Sequence, residues 1–409
     1  MDIKKRFHNI REFLKGHQGF WYEEILNDYP HTLDNYPDKW IEDLNLLSFE
    51  DLWKIDAKID FSPLEGELKT LILKINSLSI IPQVEGANEN LPHKALLGMN
   101  QKKVHEVSRL APYIGKLQKI HRFSQGFDIG GGKGHLARTL AHYFALPTIC
   151  LDPDLDLIKA GQKLLKKIST PENAKEISFI NKSLGTHIYN PDIVADENEL
   201  KLDNETLAIG LHTCGPLSLR LMERAKNLIN IGCCYLKLNP ESEINISKTS
   251  KEDPLTFSKY SLALASRGHG GISFIDFMNK WKVKSFRYSL HLLLYEKLGI
   301  KKFITVEGYP LKKYGEDFSE YALTKLSELN IKHSFDAADL NNFHQEWNPL
   351  VKKMFLANII RWQFGRLLEV YILLDRAIYL QENGFSVEIN EIFNESISPR
   401  NIAILALNN

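Results

Sequence analysis

Cysteine is scarce: four in 409 residues, too few for a disulfide scaffold. No run reaches about 18 apolar residues, so no membrane span is expected. Neither sign of charge is in excess. Lys plus Arg and Asp plus Glu each number 51, net zero. That excludes a binder that grips nucleic acid by overall charge, while leaving room for a local basic face. There is no internal repeat and no low-complexity tract. The first twenty residues carry basic side chains but no apolar run leading to a small-residue cleavage site, so they are read as mature chain. What is present suits a sizeable core: 44% apolar and 10% aromatic residues, unlike a disordered chain. A reducing, cytoplasmic setting is expected, with the nucleus left open.

The pattern divides the chain into four segments. Residues 1–92 read as a helical region. Phe7, Ile10, Phe13 and Leu14 share one helical face, Trp40, Ile41, Leu44, Leu46 and Leu47 form another apolar patch, and Ser48 caps a short helix. Residues 93–240 alternate strands and helices. QGFDIGGGKG reads as a strand running into a glycine loop, PTICLDPD, ISFINKSL and TLAIGLHTCG as further strands, GPLSLRLMERAKNLIN as a helix and IGCCYLKLNP as a fifth strand. The apolar runs are nearly continuous, as strands covered on both faces require. Residues 241–345 read as a helical insertion. Residues 346–409 hold a long helix, roughly 350–382, stopped by Gly384, and two short strands paired as a hairpin. The fold expected is α/β: a Rossmann-like sheet with helices on both faces.

The sharpest signal is Asp128-Ile-Gly130-Gly-Gly132-Lys133-Gly134-His135. Glycines at a strand-to-helix turn let backbone approach a ligand, and the helix that follows aims free N–H groups at it. A phosphate-cradling P-loop needs Ser or Thr after Gly-Lys, and here Gly134 follows. A dinucleotide loop, G-x-G-x-x-G/A, is matched by Gly132 to Ala137. The third pattern, an acid two residues before glycines spaced by two, suits S-adenosyl-L-methionine. That donor carries a sulfonium and an ammonium, which Asp128 would attract; the same carboxylate would repel a pyrophosphate. Asp152, at the end of the next strand, can accept two ribose hydroxyls and serves either adenosine ligand.

Several segments together resemble the methyltransferase-like 25 family, also described as ribosomal-RNA adenine dimethylase domain-containing proteins. They are Gly98 to Glu106, the glycine loop, Gly210-Leu-His212-Thr-Cys214-Gly215, Gly232-Cys233-Cys234-Tyr235, Leu373-Leu-Asp375-Arg376, Ser398-Pro399-Arg400-Asn401 and Pro37-Asp-Lys-Trp40. The resemblance runs from about residue 35 to the end. It departs at Asn100, Gly131 and Pro216, where Ser, Ser and an acid are frequent. It implies a class I methyltransferase fold and S-adenosyl-L-methionine, without fixing an acceptor. Within such a fold, the helix carrying Lys103, His105 and Glu106 can cover the donor's methionine end. The expected cofactor set is therefore Lys103, His105, Asp128, Gly130, Gly132, Lys133, Gly134 and Asp152.

Ligands of open parallel sheets lie beyond the carboxyl ends of the strands. There stand His212, Thr213, Cys214, Cys233, Cys234 and Tyr235. Adenine-N6 enzymes usually present an Asp/Asn-Pro-Pro-aromatic turn at this place, which this chain lacks. Three readings stay open: an acceptor pocket with His212 as base or positioning group, a zinc set of one His and three Cys, or ordinary buried thiols. Neighbouring strand residues point to opposite faces, so Cys233 and Cys234 could share an ion only where the strand bulges or ends. The expectation is an acceptor pocket with His212, Cys214 and Tyr235 as catalytic residues, and no metal. Arg400 is expected to pair with a core carboxylate, with Asp375 as one candidate.

The partner implied is a macromolecular methyl acceptor, RNA or protein. Lys280-Trp281-Lys282-Val-Lys284-Ser-Phe286-Arg287 is the strongest basic and aromatic stretch. It reads as a solvated helix face with inward rings before it reads as an RNA site. Two other functions remain open: a scaffold that keeps the fold without catalysis, and a nicotinamide-dependent oxidoreductase.

Overall fold

The structure is a computed structural model that describes residues 2–84, 90–168, 170–184, 200, 202–268, 271–314 and 317–408. Its contacts divide the chain into two compact units. The first comprises residues 1–13, 79–268 and 368–409, and the second comprises 14–78 and 269–367. These units interleave along the chain, so they are a different partition from the four contiguous segments read from the sequence.

The first unit is built on a seven-stranded sheet. Its strands are β1 (Gln125–Ile129), β2 (Thr148–Leu151), β3 (Ile177–Ile180), β4 (Thr206–Cys214), β5 (Asn227–Cys233), β6 (Phe385–Glu391) and β7 (Ile402–Asn408). The order is β3-β2-β1-β4-β5-β7-β6. β1 to β5 are parallel, while β7 runs antiparallel to both β5 and β6. The parallel strands β1 to β5 form the sheet that the alternation of strands and helices leads one to expect, and the whole fits the class I fold that the family resemblance implies.

Four helices of this unit matter for the site: α1 (Gln101–His121), α2 (His135–Tyr143), α3 (Leu155–Lys167) and α4 (Pro216–Arg224). Leu207, Ile209 and Leu211 of β4 share an apolar cluster with Val107 and Leu110 of α1 and Leu136 and Leu140 of α2. On the other face, a Cβ at Gly210 would lie 2.8 Å from Leu221 of α4. With helices on both faces, β4 is buried through most of its length, as its unbroken apolar run requires.

β5 starts earlier than the sequence pattern suggests. The helix expected over PLSLRLMERAKNLIN stops at Arg224, where Ala225 turns extended. Asn227 then donates to the carbonyls of Asn204 and Thr206, fixing the start of the strand beside β4. Ile229 and Ile231 fill the same apolar cluster as β4. Their branched side chains fit a pleated surface better than a helix. At its other end, β5 does not continue through Tyr235-Leu-Lys, which forms a short 3-10 turn.

The long helix, α5 (Ala337–Glu382), begins well before the expected residue 350 and runs through Pro349. Leu340 and Phe343 are buried and anchor the turns ahead of the proline. From Met354 to Ile378 the helix is buried on every side. Its polar residues therefore all need partners. In the first unit, Glu369 pairs with Arg400 at 3.0 Å and accepts from the Tyr235 hydroxyl. Asp375 accepts from Ser247 and from the amide of Ile246. The partner of Arg400 is thus Glu369, while Asp375 is engaged by Ile246 and Ser247.

The second unit is helical. Ser48 caps Phe49–Asp56 by accepting from the Asp51 amide, as expected. Within the apolar patch, Ile41 and Leu44 are buried but Leu46 is 84% exposed. On the helix Phe274–Glu296, Lys280 pairs with Asp56 and Lys284 with Glu24, each at 3.1 Å. Trp281 packs edge-on to Phe355, and Phe286 is buried. The stretch is a helix face with two of its lysines paired, Lys282 exposed and its rings packed against neighbours.

Candidate active site

The glycine loop joins β1 to α2. Gly130, Gly132 and Gly134 have φ of +70°, +57° and +65°, a region that L side chains avoid. Beneath the loop, Asp128 is 2% exposed. Its Oδ2 accepts from the Ala137 amide in the first turn of α2, at 3.3 Å. Burial pushes its pKa up to about 6, against the opposing charge of Lys103 and the Ala137 hydrogen bond. Asp152 stands at the end of β2. It accepts from the Gly132 amide at 2.8 Å and the Asp154 amide at 2.9 Å, so its carboxylate holds the loop and the next turn together.

A cleft of about 240 Å³ opens at the carboxyl ends of the strands. Ile129, Gly130, Leu151, Pro153, Leu184, Cys214 and Lys237 are among its lining residues. It lies where the strand order reverses between β1 and β4, the place where open α/β sheets bind their ligands.

A second constellation centres on Glu106, which the sequence placed on α1 without a role. Its side chain is 1% exposed. Oε1 accepts from Nε2 of His212 at 2.6 Å and from Oγ of Ser398 at 2.8 Å; Oε2 pairs with Nζ of Lys103 at 2.8 Å. Burial alone would raise the pKa of Glu106. The hydrogen bond and charge of His212, with Lys103, outweigh it and bring the value down to about 2. An ionised Glu106 can only accept, so the proton between the two groups is assigned to Nε2 of His212, leaving Nδ1 as an acceptor in the neutral ring.

His212 reaches Glu106 through a bulge. The register between β4 and β5 shifts between Leu211 and Thr213, and His212 has φ +66°. A histidine in this region is strained by about 1 kcal/mol or more, and such strain clusters at functional sites. The bulge re-aims the side chain while Thr213 and Cys214 resume pairing with Gly232 and Cys233.

The remaining expected residues divide. Lys103 joins Glu106, and its charge acts on Asp128. Cys214 lines the cleft. His105 does not join them: its Nε2 accepts the Asn394 amide. Lys133 is exposed, and its backbone carbonyl packs against Gly161 of α3. Tyr235 is 1% exposed, lies under Arg376 and donates to Glu369. Cys150 sits in a small apolar cluster with Ala137 and Ile158.

The family model described as "Methyltransferase domain" matches residues 102–241, the stretch that holds α1, the glycine loop, β4 and the end of β5. Residues 102–241 are thus similar to a methyltransferase domain. The family resemblance read from the motifs is upheld by two relatives. Human "Probable methyltransferase-like protein 25" is 24% identical over 283 residues, covering 61% of this chain and 45% of that protein. The mouse protein of the same description is 25% identical over 254 residues, covering 56% of this chain and 40% of its own length. The chain thus spans under half the length of these relatives. Two solved structures also match: a mutant of MtNAS in complex with S-adenosylmethionine, and coclaurine N-methyltransferase bound to N-methylheliamine and SAH. Identities are 13% and 12%, with TM-scores of 0.21 and 0.24. They cover 56% and 90% of this chain and 82% and 97% of their own. The fold rests on the strand order above and not on them. No helix among the described residues is long and apolar enough to cross a membrane.

Proposed function

We propose that the protein is an S-adenosyl-L-methionine-dependent methyltransferase acting on a macromolecular acceptor, RNA or protein. The observation that carries this reading is the glycine loop, pinned by Asp128 and Asp152, at the edge of the cleft inside the matched domain. Its residues fit the donor. Asp152 keeps lone pairs beyond those used by the two amides, which suits ribose hydroxyls. Leu151, Pro153 and Leu184 offer apolar surface for a base. Asp128, still ionised near neutral pH, places negative charge under the loop, while Lys103 offers a cation to a carboxylate. When bound, the donor supplies an electrophilic methyl group.

The chain's own task is alignment and proton removal. In this reading His212, oriented by Glu106, takes a proton from the acceptor at Nδ1, and the resulting imidazolium is stabilised by the buried carboxylate. Glu106 is a positioning residue. The acceptor atom therefore carries a proton to lose. RNA and protein are both compatible, and the Lys280–Arg287 stretch, two of whose lysines are paired, gives no preference for RNA.

The test is incubation of the purified chain with tritiated donor and an extract lacking this protein, followed by separation of labelled RNA and protein. Label in one fraction identifies the acceptor class. His212→Asn should bind the donor as tightly as wild type and lose about 100-fold or more of turnover. Absence of measurable donor affinity in the wild-type chain would leave the scaffold reading in place of this one.

A further inference from the structure

The sulfurs at the ends of β4 and β5 have no part in the proton chemistry above. Cys214 and Cys233 are lateral partners in neighbouring parallel strands. Their Sγ atoms lie 2.9 Å apart. The sequence objection to a shared ion was that Cys233 and Cys234 should face opposite sides. The structure removes it: β5 ends at Cys233, and Cys234 takes the left-handed conformation, φ 49° and ψ 52°. The ligand atoms of Cys214, Cys233 and Cys234 consequently all lie within 4.8 Å of one another. His212 is not among the residues whose ligand atoms converge here.

We propose that Cys214, Cys233 and Cys234 bind one soft divalent metal ion, of the zinc class, through three thiolates. Zn–S bonds of about 2.3 Å at tetrahedral angles require sulfurs about 3.8 Å apart, within the span of this cluster after small side-chain movements. Thiolate ligation selects zinc among the common divalent ions, since magnesium and calcium take oxygen donors. Three thiolates and a divalent ion leave one negative charge. Lys237 packs on Gly215 beside Cys214, and both Lys237 and Cys214 line the cleft. Closed structural zinc sites use four protein ligands; three is the number in sites that keep a position for water or a reacting group. Such a position would adjoin the cleft that Cys214 lines. Cys150 is the internal contrast, a lone thiol in an apolar cluster.

The experiment uses the full chain, reduced and freed of metal, titrated with Co²⁺ and then with Zn²⁺. Expected are one cobalt per chain with thiolate-to-cobalt charge-transfer absorption, displacement of the cobalt by zinc, and protection of thiols from a thiol reagent. Cys214→Ser, Cys233→Ser and Cys234→Ser should each weaken cobalt binding at least about tenfold, while Cys150→Ala keeps it. The wild-type titration decides the matter even where a serine variant fails to fold. The proposal is overturned by a folded wild-type chain without the charge-transfer band, by undiminished binding in a folded serine variant, or by a Cys214–Cys233 disulfide as the sole product under the same reducing conditions. These readouts need no methyl transfer, so they stand or fall apart from the enzymatic reading.

Discussion

Two buried carboxylates in the first unit have opposite relations to pH. Asp128 is raised to about 6 from an ordinary 3.8 because burial penalises its charge. Ionised Asp128 therefore lowers stability, by an amount that is absent below pH ~4, grows to pH ~6 and then levels. Asp128→Asn should be more stable than wild type at pH 7, by on the order of 2 kcal/mol, with the gap closing near pH 4; donor affinity should fall sharply. Thermal melts across pH with a donor titration at pH 7 check both halves. Glu106 is the reverse. Its folded value of about 2 lies below its ordinary 4.5, so its contribution to stability is full above the ordinary value and is lost as pH falls toward 2. Glu106→Gln should be destabilised at neutral pH, with the deficit shrinking on acidification. Its kcat should drop about 10- to 100-fold with the donor Kd little changed. The role of Glu106 was invisible in the sequence because the partners that define it, His212 and Ser398, are 106 and 292 residues away. Nothing local on α1 distinguishes it from a solvated acid.

At the scale of elements, the glycine loop was legible because it is a local device: an acid, three spaced glycines and a following helix. The three glycines are not equivalent in their surroundings. A Cβ on Gly132 would meet only Leu157, at 3.7 Å, whereas one on Gly134 would meet Phe179 at 2.7 Å. Gly132→Ala should therefore carry only the backbone strain, about 1–2 kcal/mol. Gly134→Ala should lose more and disturb the packing of β3; equal melting temperatures for the two variants would contradict this. The bulge at His212 and the left-handed Cys234 were not legible. Both are single-residue departures from strand geometry, and a strand pattern read at period two assumes there are none. The start of β5 was missed for a related reason: LINI fits a helix and a strand alike until its lateral neighbour is known. The antiparallel pairing of β6 and β7 was read correctly because the two short apolar stretches lie close in sequence, divided by Ser398-Pro399.

At the scale of the whole molecule, the 51 cations and 51 anions leave no net charge. Two lysines of the basic stretch on Phe274–Glu296, Lys280 and Lys284, are paired within their own unit with Asp56 and Glu24. Lys280→Ala combined with Lys284→Ala should lower the melting temperature of the chain and leave the salt dependence of any RNA affinity unchanged; a shallower salt slope would assign those lysines to phosphate contacts. The sequence could place a basic face but not its counter-charges, which come from residues 224 and 260 positions earlier.

β7 sits between β5 and β6, yet it follows both in the chain. Until Ile402–Asn408 arrives, the flank of β5 that holds Leu228 to Asn230 has no neighbour, and those amides and carbonyls form an open template for any passing strand. Ribosomal synthesis must thus carry a half-finished sheet through the whole helical stretch between them, a period in which chaperone shielding or slow, concentration-sensitive maturation would govern the yield. A strand that closes a gap rather than extends a rim also makes Ile402–Asn408 a poor place for a deletion or insertion.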